Sequence, residues 1–377
     1  MPQDSLSLNS FFHAFPKADL HYHLLGGIRL ETMLDLARKY SVELSEEEAK
    51  SYYRAYRSET GITRGGVSAQ RLLYTLLQQP EDFTRIILEV AEDAKACGVL
   101  YIEALWNPVK CLPEYPSVVN AMIEGITRAE ALTGVVIRLI ACISRDQSDD
   151  EAQSTAKHVM DHAHPHVLGV GLDCQSGTVT RACYITIARQ LKQQGLRVSA
   201  HFSSGSQHQQ WMDIEQAVNS LDVDRIDHGY SVVNNDALAQ EYAERGIAFT
   251  VAPSNTHYLK KWPDREQWQE KHPARVMARQ GLTIVPCTDG WHLHDITSAE
   301  CYRIMVEELG FDLDDIRQMM INSLNGSWLN HDIRQRWLTQ WTKVFDQLRK
   351  KLTWEPELSW RRVDYIHGLQ QARTRKG

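Results

Sequence analysis

The sequence predicts an α/β protein of the TIM type, a closed (β/α)8 barrel with extra helices after the first strand and at the C-terminus. Apolar runs of strand length alternate with helical segments from residue 81 onward, as a parallel sheet covered on both faces requires. Helices end at Gly98, Gly134, Gly195, Gly246 and Gly281, where a C-cap favours glycine. Histidine and aspartate recur at the C-terminal ends of the strands, the face on which such barrels place their chemistry. An open doubly wound sheet is the alternative; against it, no G-x-G-x-x-G follows the first strand.

The first strand lies in P-K-A-D-L-H-Y-H and runs into a turn at Gly26-Gly27. A helix is expected over about 29–40, where Ile28, Met33, Leu34, Leu36 and Ala37 follow helical spacing. Ser45 and Glu48 have the spacing of a capping box for a second helix through the 50s. Residues 58–70, polar and glycine-bearing, read as a mobile loop before a helix near 70–78. Then the alternation sets in. Helix 81–97 precedes V-L-Y-I-E-A-L-W, helix 116–132 precedes V-V-I-R-L-I-A-C, and helix 149–162 precedes V-L-G-V-G-L-D-C. Helix 180–194 precedes L-R-V-S-A-H, and helix 211–221 precedes D-R-I-D-H-G. Helix 236–245 precedes I-A-F-T-V-A-P, and helix 273–280 precedes L-T-I-V-P-C-T-D. Eight strands result, in one domain that ends in a helical extension over 346–377.

Composition bounds the function. In 377 residues, 43% hydrophobic and 24% charged, there is enough apolar mass for one large core. A net charge of −7 without a basic stripe argues against nucleic acid as a partner. Seven scattered cysteines, none in C-x-x-C, suit reduced thiols in the cytoplasm. The N-terminus has no basic segment followed by a long apolar one, so no signal peptide is expected. The most apolar stretch, 135–143, is short and contains Arg138, so no membrane span is expected. The expected partner is a small-molecule substrate; homo-oligomer formation stays open.

His21 and His23 are two apart on a strand, so both imidazoles point the same way. Asp173 ends the fourth strand, His201 the fifth, His228 the sixth and Asp289 the eighth. Three histidines and an aspartate suit a catalytic Zn²⁺ with room for a water. A denser set, His158, His162, His164 and His166, precedes the fourth strand and so belongs to the opposite end of the barrel.

With these residues in place, the chain resembles the adenosine deaminase family of the amidohydrolase superfamily. P-K-A-D-L-H-Y-H-L-L-G-G-I-R-L-E-T-M-L-D-L-A is similar to that family's opening metal motif. G-V-L-Y-I-E-A-L-W-N-P, R-I-D-H-G-Y-S-V-V, the T-D of P-C-T-D-G and N-S-L-N-G-S-W-L follow in the family's order, over roughly residues 12–345. The resemblance implies one Zn²⁺ held by His21, His23, His201 and Asp289, with His228 orienting the attacking water and Asp289 taking its proton.

The departures are equally specific. Where the family reads H-A-G-E, this chain reads H-F-S-S, so Ser204 replaces the glutamate that protonates the purine ring, and the loop to His228 is about three residues longer. Gly290 replaces the second aspartate of T-D-D, Leu25 stands where an aspartate meets the ribose, and Gln175-Ser176-Gly177 replaces a glycine motif. His208, His292 and His294 are candidate substitute acids or substrate contacts, with Ser204 and Asp173 beside them. The expectation is a zinc hydrolase that deaminates a purine-like or related amino-substituted compound other than adenosine. The alternatives are a zinc amidohydrolase of an amide or cyclic imide, and a catalytically silent metal-binding barrel.

Overall fold

The computed structural model describes residues 5–53, 66–173, 181–202, 211–253, 270–353, 363 and 365–374. Eight strands form one sheet: β1 (Lys17–His23), β2 (Val99–Trp106), β3 (Val136–Ser144), β4 (Val167–Asp173), β5 (Arg197–His201), β6 (Arg225–Asp227), β7 (Ala248–Val251) and β8 (Thr283–Pro286). They neighbour one another in sequence order, and each of the seven successive pairs is parallel. The last seam, from β8 back to β1, is closed by an isolated Tyr22–Asp289 bridge. There the Asp289 amide donates to His21 O at 3.1 Å. Just beneath, the Asp19 carboxylate accepts from Thr288 Oγ1 at 2.6 Å and from Trp291 Nε1 at 3.4 Å. The (β/α)8 expectation holds.

The helices ahead of β2 are α1 (Leu8–Ala14), α2 (Leu30–Lys39), α3 (Glu46–Tyr53), α4 (Gly66–Leu76) and α5 (Pro80–Ala96). Those between later strands are α6 (Tyr115–Thr133), α7 (Asp149–Asp161), α8 (Ala182–Gln193), α9 (Trp211–Leu221), α10 (Asp236–Arg245) and α11 (Pro273–Arg279). After β8 come α12 (Trp291–His294), α13 (Ser298–Glu307), α14 (Leu313–Asn325), α15 (His331–Arg349) and α16 (Tyr365–Thr374). Local chemistry explains the boundaries. Ser148 and Glu151 form a reciprocal capping box that starts α7, and Gly134 and Gly246 close α6 and α10 with φ of 77° and 69°. The Glu48 amide donates to Ser45 Oγ ahead of α3, at the expected cap.

One boundary differs from the sequence expectation. α4 begins at Gly66, so residues 66–70 are helical, while 58–65 of the expected loop lie outside the described residues. Leu73 and Leu76 are fully buried and anchor this helix, and a glycine in its first turn forfeits no intrahelical N–H bond. At the other end of the chain, α16 is tied to β8 by one hydroxyl. Tyr365 Oη donates to Leu282 O at 2.8 Å and accepts from the Ile284 amide and from Asn322 Nδ2, both at 2.8 Å. Cys97, Cys111, Cys142, Cys183, Cys287 and Cys301 are buried free thiols. No helix among the described residues is long and apolar enough to cross a membrane.

Candidate metal centre

The C-terminal ends of β1, β5, β6 and β8 deliver their polar side chains to one point. Ligand atoms of His21, His201, His228 and Asp289 all lie within 4.8 Å of one another, as do those of His23, Asp173 and His201. The imidazoles meet edge to face, with ring centroids 4.6 Å apart for His21 and His201 and 4.5 Å for His201 and His228. Asp289 divides this group. Its Oδ1 is 3.3 Å from both His21 Nε2 and His23 Nε2, whereas its Oδ2 faces His228 Nε2 at 3.5 Å and His294 Nε2 at 3.7 Å. Asp173 Oδ2 stands 4.0 Å behind the first-strand pair, on the Nδ1 side of His23.

Electrostatics favour the ligand form of His201, His228 and Asp289 and the protonated form of His21. Burial, then the neighbouring His228, His21 and His23, hold the His201 pKa well below its usual value. Burial and His21 push His228 down to about 3. Burial by itself would raise Asp289, but His294, His21 and His228 outweigh it and hold the carboxyl well below the usual range. His21 is pulled down by burial and carried above its usual value by Asp227 and Asp289. His294 is lowered, chiefly by burial.

The sequence-predicted residues separate clearly. His21, His201, His228 and Asp289 form one group, and His23 and Asp173 form a second that shares His201. His294 joins them, held by the single turn of α12, but His292 does not: its Nε2 pairs with Asp93 at 3.0 Å, in a cluster with Arg29. Leu25 is buried in the Leu24–Gly27 3₁₀ turn. Ser204, His208 and Gln175-Ser176-Gly177 lie outside the described residues. His158 and His162 sit on and just after α7 with their rings 5.5 and 5.9 Å from Tyr115, and His158 Nδ1 bonds Ser154 O at 2.8 Å.

Some contributors were not singled out in the sequence. Asp19 precedes His21 by two on the same strand face, so the alternation that paired the histidines also reached it. Burial raises its pKa to about 6 against the hydrogen bond from Thr288. Buried Arg145, just past β3, donates to His201 O at 2.8 Å and, through its amide, to Asp173 O at 3.0 Å, so it clamps the ends of β4 and β5. No local motif announced it.

Gly290 has a spatial explanation. Its φ is 136°, and a Cβ built on it would lie 3.0 Å from Gly26 Cα and 3.6 Å from His294 Cδ2. The backbone of the β1 turn and the His294 ring fill the space that a side chain at 290 would need.

Comparison with known proteins agrees with this geometry. The family model described as adenosine deaminase matches residues 16–344. An adenine deaminase from Zymomonas mobilis is 27% identical over 332 residues, covering 86% of this chain and 94% of that protein. An adenosine deaminase from Clostridium perfringens is 23% identical over 331 residues, covering 85% and 96%. Among solved structures, an amidohydrolase from Burkholderia ambifaria with bound Zn is similar with a TM-score of 0.83 and 34% identity, covering 91% of this chain and 93% of that one.

Proposed function

The chain belongs to the adenosine deaminase family of amidohydrolases, hydrolases of C–N bonds, and from that premise we propose that it deaminates an amino-substituted, purine-like base. In this reading His21, His23, His201 and Asp289 Oδ1 hold one Zn²⁺. The single observation behind it is the division of Asp289, with one oxygen among the first-strand histidines and the other against His228. The residues fit the ion: His21 Nε2 is buried with no hydrogen-bond partner, and three imidazoles with one carboxylate are a zinc donor set. Zinc held there supplies Lewis acidity and brings the pKa of a water toward neutrality.

The side chains do the rest. His228 Nε2 orients the attacking water and stays beside its oxygen as that oxygen bonds to the substrate carbon. Asp289 Oδ2, ionised at neutral pH, takes the water's proton as the water oxygen bonds to the amino-bearing carbon and the ring C=N π pair moves onto the ring nitrogen. That proton passes to the amine nitrogen, and the ring nitrogen's pair re-forms the C=N bond as the bond to the amine breaks, which leaves ammonia and a hydroxy product that tautomerises to the carbonyl form. His294 contacts the substrate from beside Oδ2. Leu25, in the Leu24–Gly27 turn, offers no hydrogen bond to a ribose, which favours a base over adenosine. Buried free thiols suit a reducing compartment, and we place the enzyme in the cytoplasm.

The test is ammonia release by the zinc-loaded protein from adenine, adenosine, aminopterins and simple amides. Release from an amino-heterocyclic base, lost on chelation and regained with zinc, is expected. Preferential turnover of adenosine would overturn the substrate reading, and turnover confined to simple amides would overturn deamination itself.

A further inference from the structure

A chain of buried polar groups runs from the far end of the barrel interior to His21. Its first member is Glu103 on β2, which accepts from Tyr101 Oη at 2.8 Å and from the Trp328 amide at 2.6 Å, and pairs with Arg225. The Arg225 guanidinium lies 4.5 Å over the Trp328 ring, and its Nε is 3.5 Å from Asp227 Oδ1. Thr250 Oγ1, fully buried on β7, lies 2.9 Å from that same Oδ1 and 2.9 Å from His21 Nδ1.

This chain has a direction. A carboxylate only accepts, and a threonine hydroxyl has one proton to give. The Thr250 proton therefore goes to Asp227, and the hydroxyl oxygen is left to accept from His21 Nδ1–H. The imidazole is then fixed as the Nδ1–H tautomer, which leaves the Nε2 lone pair for a metal on the side where Asp289 Oδ1 lies 3.3 Å away. The Arg225 cation, shared with Glu103, balances the buried Asp227 charge that gives the chain its direction.

We infer that Thr250 is a positioning residue, whose hydroxyl, oriented by Asp227, sets the tautomer and ring angle of His21 for metal binding. The inference rests on the reading of His21 as a ligand. Groups behind a metal-binding histidine typically account for about 10–100-fold in metal affinity.

The test compares Thr250→Val, which keeps the shape and removes the hydroxyl, with Thr250→Ser, which keeps the hydroxyl. Zinc affinity by chelator competition is expected to fall about 10–100-fold in Thr250→Val and to recover in Thr250→Ser. The absorption spectrum of the Co²⁺-substituted protein is expected to change in the first and not in the second. A folded Thr250→Val protein with unchanged zinc affinity and Co²⁺ spectrum would overturn the inference. A second measurement needs no variant at position 250. In zinc-loaded wild-type protein labelled with ¹⁵N-histidine, His21 should carry its proton on Nδ1, protected from solvent exchange by the bond to Thr250 Oγ1. A zinc-loaded His21 with no Nδ1 proton would overturn the inference even if Thr250→Val does not fold. Wild-type protein that binds no zinc would instead refute the ligand reading on which the inference rests.

Discussion

Gly290→Ala tests whether the missing second aspartate is a packing necessity. The added Cβ would sit 3.0 Å from Gly26 Cα, a backbone atom that cannot rotate away, and the residue would be held at φ 136°. Placing a side chain in such a conformation costs about 1–3 kcal/mol. Forcing an extra carbon into a packed site costs about 1–3 kcal/mol more. The sum, roughly 2–6 kcal/mol, is a large part of the 5–15 kcal/mol that holds a typical domain together. Gly134→Ala is the control, because its φ is 77° but nothing lies within 4 Å of the new Cβ, so only the conformational cost applies. Urea unfolding of the metal-free proteins should show Gly290→Ala losing clearly more stability than Gly134→Ala. Equal losses would refute the packing argument. Gly290→Asp, which rebuilds T-D-D, should for the same reason shift the Gly26 turn and create no adenosine turnover.

Three further outcomes are expected. His21→Ala should lose stoichiometric zinc by metal analysis, whereas His164→Ala, on the opposite end of the barrel, should keep it. His294→Ala should raise KM about 3–10-fold, the loss of one net hydrogen bond, while His292→Ala should leave steady-state kinetics unchanged because that ring is bound to Asp93. His272 is fully buried, caps α11 by accepting from the Ala274 amide, and has its pKa pushed down to about 3 by burial and then Arg275. The unfolded chain therefore binds a proton that the folded chain refuses between pH 6.5 and about 3, and stability falls as pH drops through that window. His272→Asn, which preserves the cap, should flatten the slope of unfolding free energy against pH by up to about 1.4 kcal/mol per pH unit; an unchanged slope would show that His272 titrates normally.

The barrel was legible because its signals are local. Apolar runs, helix-ending glycines and capping boxes each act within a few residues, and the observed helices α9 and α10 coincide with the expected 211–221 and 236–245. The residues proposed to hold the metal were legible as a cluster because a strand end fixes both position and face. What was hidden depends on approach between distant segments. Thr250 is an ordinary strand threonine until β7 is set beside the axis, and Asp227 is half of an unremarkable Asp-His pair until Arg225 and Glu103 neutralise it. His292 and His294 look equivalent in the sequence. Only the single turn of α12 sends one toward Asp93 and the other toward Asp289.

The residues proposed for the proton and the water share a backbone feature. His228 has φ 58° and Asp289 φ 68°, and both are followed by a glycine that also has positive φ. Left-handed backbone at a non-glycine residue costs about 1–3 kcal/mol, so something must hold each in place. The His228 amide donates to Thr250 O at 3.0 Å, and the Asp289 amide donates to His21 O at 3.1 Å. A neighbouring strand thus fixes the left-handed backbone that follows each of these strands. Thr250 serves twice, its carbonyl holding His228 and its hydroxyl holding His21. A side-chain substitution there can release His21 while the carbonyl still holds His228, so ligand geometry and water orientation can be perturbed separately at one position.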